Sequence, residues 1–359
     1  MDNAPHPPSV GNFWDKKWFF AGVDYSPQKT IEIVNPVNGA PLFQVPQTSE
    51  TEIKPLLEWL GSCSINGLHN SLQNTGRLLE LGKVCQRMAE LLDKDCHFQR
   101  FANLIREVMP KSAGEAAAEV RGGRDFFASF AGNGVRYLMN CESVIGTGTT
   151  QRADHYRWPY GPVALITPFN FPLEIPALQL MGAIFMGNRV VLKPDQRTAT
   201  VAGALVSALL QCGLRPEYIA LLNCNGNVAE QLVMATNTDG QPIIKLTVFT
   251  GSSYVADRLS RVTGGRVKFE DAGLGWKILG PHFTDFDIPT VAENSDHDAY
   301  SASGQKCSAQ SLLFPHKNWL KKDLLTRLRE LAGRRNFCDL SLGPILTWNN
   351  GRIQGHVDK

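Results

Sequence analysis

The sequence predicts an α/β protein that is built on a doubly wound parallel sheet. From residue 163 to residue 269, short apolar runs alternate with helical segments in the order that repeated βαβ units require. The first run, residues 163–166, is continuously apolar, as expected for a parallel strand that is buried on both faces. The polar motifs of this region follow the predicted strands. Ligands bind at the carboxyl ends of the strands in such sheets, so we expect a nucleotide site there.

The elements of this unit follow from apolar runs and from glycine and proline stops. The predicted strands are residues 163–166, 189–192, 219–222, 246–249 and 266–269. The predicted helices between them are residues 173–186, 199–212, 228–235 and 255–262.

The segment before this unit is expected to be mainly helical. Residues 1 to about 15 are Pro-rich and predict a mobile tail. Short strands are predicted at 17–23 and 31–45, with a hairpin turn at Asn38-Gly39. Amphipathic helices are predicted at 53–60, 78–92, 98–108 and 113–138, the last with a break at Gly122-Gly123. Residues 146–158 are polar and alternating, which predicts an extended hairpin or, equally, a surface loop.

A second, smaller unit begins after Gly273. Strands are predicted at 277–280 and 312–314, and a basic amphipathic helix at 319–334. We therefore expect a nucleotide-binding domain at 1–273 and a second α/β domain at 274–359 that ends in mid-pattern. Such an incomplete unit should expose apolar faces and strand edges.

The composition is that of an ordinary globular protein, with 43% hydrophobic and 19% charged residues. A formal net charge of +2 gives no reason to expect nucleic acid as a partner. The longest apolar run, residues 173–186, contains Glu174 and Gln179 and is too short to span a membrane. The eight cysteines form no CxxC pair, which favours free thiols in a reducing compartment.

Cys307 is the strongest candidate for a reactive group. It lies in Ser-Gly-Gln-Lys-Cys-Ser-Ala, residues 303–309, where small neighbours leave room for a substrate. At a loop-to-helix junction, backbone N–H groups would lower the thiol pKa and later bind an oxyanion. A lone cysteine is more often a space-filling residue, so this hypothesis depends on the surrounding motifs.

Those motifs resemble the NAD(P)-dependent aldehyde dehydrogenase superfamily, in the family's order and along nearly the whole chain. They are Thr-Pro-Phe-Asn-Phe-Pro at 167–172, Leu-Lys-Pro at 192–194, Phe-Thr-Gly-Ser-Ser at 249–253, Phe-Glu-Asp-Ala-Gly at 269–273, and the Cys307 motif. Residues 156–176, 269–281 and 298–314 are more similar still to the plant-type delta-1-pyrroline-5-carboxylate dehydrogenases. The resemblance implies an aldehyde dehydrogenase-like fold and the NAD-dependent oxidation of L-glutamate gamma-semialdehyde to glutamate, as in proline breakdown. The reaction would pass through a thiohemiacetal and a thioester on Cys307.

The resemblance also implies roles for individual residues. Asn170 would donate its side-chain amide to the oxyanion. Glu270 would be the general base, and we expect burial at the end of its strand to raise its pKa. Ser308 would bind the substrate carboxylate, although a role as a helix cap is equally consistent with the sequence.

Cofactor binding is expected along the strand ends. Lys193 would reach a ribose hydroxyl or a phosphate, and Gly251-Ser252 would open a helix whose N–H groups favour a pyrophosphate. The preference for NAD over NADP is implied by the branch alone. The complete implied set is Ile166, Thr167, Pro168, Phe169, Lys193, Gln196, Gly226, Gly251 and Ser252.

The remaining expectations concern partners and location. Asp296-His297-Asp298 predicts a polar loop and not a metal site, because consecutive side chains diverge. The resemblance implies a small aldehyde substrate and a homo-oligomer joined through 146–158, with no nucleic acid and no membrane. It implies the mitochondrial matrix, but the first residues show no presequence, so the cytoplasm stays open as an alternative. Two other functions stay open: oxidation of a different aldehyde, and an inactive nucleotide-binding or interaction protein.

Overall fold

The structure is a computed structural model that describes residues 11–19, 29–73, 75–140, 142–148, 150–347 and 350–358. Most of the expected tail lies outside these residues, as does the part of the 17–23 strand after Phe19. No helix within the described residues is long and apolar enough to cross a membrane.

The described residues alternate between strands and helices along most of the chain. The strands are β1 (Asn12–Trp14), β2 (Lys17–Phe19), β3 (Thr30–Val34), β4 (Pro41–Pro46), β5 (Glu142–Ile145), β6 (Arg152–His155), β7 (Pro162–Ile166), β8 (Arg189–Lys193), β9 (Ile219–Leu221), β10 (Leu246–Gly251), β11 (Val267–Asp271), β12 (Gly275–Leu279) and β13 (Gln310–Pro315). The helices are α1 (Lys54–Gly61), α2 (Thr75–Leu92), α3 (Asp95–Val108), α4 (Ala113–Ser129), α5 (Glu174–Phe185), α6 (Ala199–Gln211), α7 (Gly226–Met234), α8 (Ser253–Val262), α9 (Asp287–Tyr300), α10 (Lys317–Leu320), α11 (Leu324–Ala332) and α12 (Asn350–Val357).

The largest sheet has seven strands in the order β11-β10-β7-β8-β9-β1-β2. The five strands β11, β10, β7, β8 and β9 run parallel to one another. Strand β1 pairs antiparallel with β9 and with β2. The chain runs from β7 to β9 in one direction and then returns to the other side of β7 with β10 and β11. The strand order therefore reverses between β7 and β10, where such sheets bind ligands. The predicted doubly wound parallel sheet is confirmed.

Helices cover both faces of this sheet because the side chains of its strands alternate between two hydrophobic clusters. Val163 and Leu165 of β7 pack into a cluster with α2 to α6, whereas Ala164 packs into a cluster with α1, α7 and α8. Full burial of a side chain such as Leu165 contributes about 1.5–3 kcal/mol.

The helix α4 differs from its prediction. It continues through Gly122-Gly123 and ends at Ser129, and a separate 3-10 helix follows at Gly134–Met139. A Cβ on Gly122 would lie 3.2 Å from the carboxyl group of Glu174, so the glycine allows α4 to pack closely on α5. Close packing offsets the roughly 1 kcal/mol that a glycine costs inside a helix, and the predicted break is wrong.

The exposed hairpin also starts earlier than predicted. Its strands β5 and β6 pair antiparallel from Glu142–His155 to Ile145–Arg152, so the segment 146–158 contained only the turn and the second strand. All the residues of both strands are exposed, including Val144 at 60% and Ile145 at 88%. The hairpin predicted at Asn38-Gly39 is confirmed between β3 and β4.

The second unit contains a parallel pair, β12 and β13, packed on α9 and α11. The single helix predicted at 319–334 is wrong, because α10 ends at Leu320 and α11 begins at Leu324. Trp319 fixes α10 by stacking on Phe283 at 3.9 Å and by donating its Nε1–H to the carbonyl of Gly280. The polar loop predicted at 296–298 is also wrong, since these residues lie in α9.

One face of the β12–β13 pair is uncovered in the part of the chain that the structure describes. Trp276 and Ile278 are 66% and 64% exposed, and Phe314 is 54% exposed. The expectation of exposed apolar faces in the second unit is confirmed.

Candidate functional site

A cleft of about 520 Å³ lies at the carboxyl ends of β7, β8, β10 and β11. The turn that contains Cys307 closes one side of it. The cleft brings together most of the residues that the sequence singled out. Of these, it is lined by Ile166, Thr167, Pro168, Phe169, Asn170, Lys193, Gly226, Gly251, Ser252, Glu270 and Cys307.

The Cys307 turn is held in a strained conformation. Ala302 and Ser303 have φ angles of 50° and 57°, and Gly304 follows with 74°. For residues other than glycine, this left-handed region costs roughly 1–2 kcal/mol each. Two hydrogen bonds to distant parts of the chain hold it. The Glu115 side chain accepts one from the Ala302 N–H at 2.8 Å, and Ser303 Oγ accepts one from the backbone N–H of Gly343 at 2.6 Å.

The thiol of Cys307 lies in a turn before β13. The predicted loop-to-helix junction at this residue is therefore wrong. Partial burial raises the pKa of Cys307, and so do the hydrogen bond to Glu270 and the negative charge of that carboxylate. The backbone N–H groups of Ser308 and Cys307 act in the opposite direction without reversing the shift. The expectation of a lowered thiol pKa is therefore wrong, because burial and the adjacent carboxylate both disfavour the thiolate.

Glu270 lies next to the thiol, but not on a buried strand. Its strand, β11, forms the edge of the sheet beside β10, and Glu270 itself is exposed. The expected burial of Glu270 is therefore wrong. Asp271 is exposed beside it and also lines the cleft.

Asn170 also lines the cleft, where it follows β7, and it is only 9% exposed. Its Nδ2–H donates to the carbonyl of Gln305 at 2.9 Å, two residues before Cys307. A carboxamide carries two N–H groups, and this bond uses one of them. Asn170 therefore links the end of β7 to the Cys307 turn and retains a donor.

Two helices begin at the cleft on the side away from Cys307. Helix α7 starts at Gly226, where an added Cβ would meet no atom within 4 Å. Helix α8 starts at Ser253 after Ser252, whose side chain makes no capping hydrogen bond. Both helix starts can offer N–H groups to an anion.

The residues of this cleft fit a dinucleotide. Thr167 Oγ1 is buried and has no hydrogen-bond partner among the described residues, although Thr167 lines the cleft. Lys193 is half-buried at the end of β8 and supplies a positive charge to the lining of the cleft. A Cβ at Gly251 would lie 2.5 Å from the Phe249 ring, so this close approach favours glycine.

Two predicted site residues do not line the cleft. Gln196 lies behind it, and its Nε2 has no hydrogen-bond partner among the described residues. Its neighbours Asp195 and Arg197 line the cleft instead, as a pair with an Nη2–Oδ2 distance of 2.7 Å. Burial opposes the charge of Asp195, but the bonds and charge of Arg197 hold its pKa below the usual value. Ser308 is exposed and also lies outside the lining.

Sequence reasoning missed several residues of this region. Arg258 of α8 and Glu230 of α7 line the cleft and form an ion pair with an Nε–Oε2 distance of 2.6 Å. No sequence motif predicted this pair. Glu115 contacts the Cys307 turn and also completes a capping box with Ser112. The pattern Ser112-x-x-Glu115 could have predicted this cap, but not its contact with Ala302.

Metal binding has no structural support within the described residues, where no group of three or more His, Cys, Asp and Glu could hold an ion. In the sequence Asp296-His297-Asp298, Asp296 pairs with Arg335 and Asp298 with Lys277. The absence of a metal remains a prediction.

The parallel sheet and its switch-point cleft define an α/β protein with the architecture of dinucleotide-binding proteins, and Cys307 and Glu270 both line that cleft. The model of the aldehyde dehydrogenase family matches residues 23–350, and the chain belongs to this family.

Individual relatives agree with this assignment. The chain is 43% identical over 327 residues to a probable aldehyde dehydrogenase of Linum usitatissimum, covering 91% of this chain and 58% of the relative. It is 40% identical over 356 residues to the mitochondrial delta-1-pyrroline-5-carboxylate dehydrogenase 12A1 of Arabidopsis thaliana, covering 99% of this chain and 62% of the relative. The chain thus spans about three fifths of the length of these relatives.

A solved structure confirms the fold. The succinate-semialdehyde dehydrogenase of Burkholderia pseudomallei matches with a TM-score of 0.79 at 20% identity, over 97% of this chain and 69% of that one. The predicted aldehyde dehydrogenase-like fold is confirmed.

Proposed function

We propose that the protein oxidises L-glutamate gamma-semialdehyde to glutamate with NAD as the hydride acceptor. The observation that carries this proposal is a single cleft that is lined by Cys307, Glu270 and Asn170 and also receives two helix starts. The substrate is supported by the relationship to the Arabidopsis delta-1-pyrroline-5-carboxylate dehydrogenase. A similar relationship to a probable aldehyde dehydrogenase keeps another aldehyde as the alternative.

Different residues of the cleft would carry out different steps of the reaction. Cys307 attacks the aldehyde carbon while its proton passes to Glu270, which already accepts a hydrogen bond from the thiol. The oxyanion of the thiohemiacetal is bound by the amide of Asn170 and the backbone N–H of Cys307. The bound nicotinamide supplies the hydride acceptor. Glu270, which is exposed at the sheet edge, then releases the thiol proton to solvent and, as a carboxylate again, activates the water that hydrolyses the thioester.

The cofactor would lie across the switch point of the sheet. The starts of α7 and α8, at Gly226 and Gly251-Ser252, suit its pyrophosphate, and Lys193 suits a ribose hydroxyl. The segment 166–169 would form the wall beside it. The preference for NAD over NADP rests on the branch resemblance, since Gln196 lies outside the cleft.

We also propose the division into a nucleotide-binding domain, 1–273, and a second domain, 274–359. It is supported by the separate β12–β13 sheet that starts at Gly275. The fully exposed β5–β6 hairpin, with Val144 and Ile145, suits an oligomerisation arm. A mitochondrial location is proposed from the relationship to the mitochondrial Arabidopsis enzyme alone.

The test is a titration of the chain with NAD and NADP, followed by a panel of aldehydes that includes glutamate semialdehyde. NADH formation measured by absorbance at saturating NAD should be fastest with glutamate semialdehyde. A faster rate with another aldehyde would overturn the substrate assignment.

A second candidate is an inactive nucleotide-binding protein that requires a partner, and the exposed face of Trp276, Ile278 and Phe314 favours it. NAD binding without NADH formation, together with a thiol that forms no adduct with aldehydes, would support this candidate over the enzyme.

A further inference from the structure

Lys111 and Glu119 form an ion pair that is completely buried. Their Nζ–Oε2 distance is 2.8 Å, and the side chains are 1% and 0% exposed. Taking two charges out of water costs several kcal/mol per ion, and apolar residues of similar volume often replace such pairs without loss of stability. Neither residue lines the cleft. The pair therefore calls for a reason other than stability.

The contacts of the pair supply that reason, because both residues hold the segment that carries Asn170. Lys111 Nζ donates to the backbone carbonyl of Asn170 at 2.9 Å and lies 4.4 Å from the centre of the Phe171 ring. Glu119 Oε1 accepts hydrogen bonds from the N–H groups of Leu173 and Glu174, at 2.8 and 3.3 Å. The cation thus fixes the carbonyl at one end of the segment, and the carboxylate fixes two amides at the other.

The end of this segment, at the start of α5, has no capping side chain of its own. The residue that precedes the helix, Leu173, makes no side-chain capping hydrogen bond. Glu119 replaces the missing cap from a different helix. The same helix, α4, reaches the Cys307 turn through Glu115, which is one turn before Glu119. Helix α4 therefore contacts both sides of the proposed oxyanion site.

We propose that Lys111 and Glu119 are positioning residues that hold the Asn170 amide in place for the oxyanion. The inference rests on the proposed function, in which Asn170 binds that oxygen. Asn170 connects to the Cys307 turn by one hydrogen bond, to Gln305 O, so rotation or displacement of its backbone would move the donor directly. A displacement of about 1 Å at such a site can cost about a hundredfold in rate.

The test measures aldehyde addition without turnover. Propanal adds to the Cys307 thiol: the S–C bond forms, the carbonyl π bond opens, and the thiol proton ends on the new oxygen. The adduct protects Cys307 from iodoacetamide, and mass spectrometry of the Cys307 peptide at increasing propanal gives the affinity. Asn170→Ala should weaken protection about tenfold, the loss expected for one hydrogen bond of about 1.4 kcal/mol.

Glu119→Gln should weaken propanal protection between about threefold and tenfold, but no more than Asn170→Ala. The double variant Glu119→Gln/Asn170→Ala should be no weaker than Asn170→Ala alone, because the pair acts through the amide. In Glu119→Gln the alkylation rate without propanal should change by less than about twofold, since Glu119 lies outside the cleft that contains the thiol.

Two controls separate positioning from stability. Lys111→Met/Glu119→Leu removes both charges together and should lower the unfolding midpoint less than Lys111→Met alone, which leaves a buried carboxylate unpaired, yet it should still lose propanal affinity. Arg77→Gln removes another buried cation, which donates to Phe185 O and Tyr218 Oη away from the cleft. It should lower the unfolding midpoint but retain propanal affinity.

The outcomes distinguish the two proposals. Wild-type propanal affinity in both Glu119→Gln and the apolar double variant, or a loss that adds to that of Asn170→Ala, would refute positioning by the pair. If Asn170→Ala leaves the propanal affinity unchanged, or if propanal does not protect Cys307 in the wild type, the proposed oxyanion site is wrong. The inference is then overturned with it.

Discussion

Asn170 and Glu270 line the same cleft, but they come from opposite kinds of strand. Asn170 follows β7, which lies inside the sheet between β10 and β8, and it is 9% exposed. Glu270 lies in β11, which is the last strand of the sheet, and it is exposed. The buried side is fixed by Lys111, Glu119 and Gln305, whereas the exposed side depends on contact with Cys307.

The difference suits the two proposed tasks. An oxyanion donor is effective only if it is oriented before the charge develops, so it benefits from a rigid and dry surrounding. A base that activates water must exchange protons with solvent, so it benefits from exposure. The following predictions test this contrast, beginning with the group that lies between the two sides.

Cys307→Ala should abolish NADH formation with every aldehyde and leave the dissociation constant of NAD within about twofold, since the thiol is not one of the groups proposed to bind the cofactor. Steady-state absorbance and NAD fluorescence titration measure these two effects. Substantial turnover by this variant would remove Cys307 from the mechanism. Cys338→Ala, at an exposed cysteine outside the cleft, is the matched control.

Lys111→Met should destabilise the fold by about 3–5 kcal/mol, because it leaves the carboxylate of Glu119 buried without its cation. Glu270→Gln, on the exposed side, should change the free energy of unfolding by less than about 0.5 kcal/mol. Urea unfolding followed by tryptophan fluorescence gives both values. Equal losses would mean that the two sides do not differ in rigidity.

Glu270→Gln should slow thioester hydrolysis more than hydride transfer, since water needs a base to attack the thioester whereas the more acidic thiol can also lose its proton to solvent. Stopped-flow absorbance should show a burst of NADH followed by a slow steady state. A burst and a steady state that fall equally would exclude Glu270 as the base for hydrolysis.

The pH dependence of Cys307 should respond to the same substitution. Burial, the hydrogen bond to Glu270 and its negative charge raise the pKa of the thiol, so the wild-type thiolate should form only above the usual thiol range near about 8.5. Removing the charge lowers the thiol pKa, and iodoacetamide should then react faster at pH 8 in Glu270→Gln than in the wild type. A midpoint that moves upward, or does not move, would contradict the contact between these residues.

The smallest expected effect concerns the cofactor. NAD should bind more tightly than NADP, as the branch resemblance implies, and fluorescence titration of both gives the ratio. A lower dissociation constant for NADP would reverse the assignment. Arg258→Gln should change this ratio more than Arg124→Gln, because Arg258 lines the cleft and Arg124 lies on α4 outside it.

The sequence by itself determined the parallel sheet and the grouping of the motifs in one cleft. Buried parallel strands leave continuous apolar runs, and the carboxyl ends of neighbouring strands meet at one edge, so local patterns were sufficient. The positions of Asn170, Lys193 and Glu270 around the cleft could be predicted on this basis. The family resemblance added Cys307 from the second unit.

Only the tertiary structure decided how these groups are held and charged. Glu115 contacts Ala302 across 187 residues, and Asn170 contacts Gln305 across 135, so no local pattern contains either bond. The thiol pKa was predicted in the wrong direction because burial raises it and because Glu270, on another strand, raises it further through its hydrogen bond and charge. The exposure of that strand depends on its place at the sheet edge, which is a property of strand order and not of the apolar content of residues 266–269.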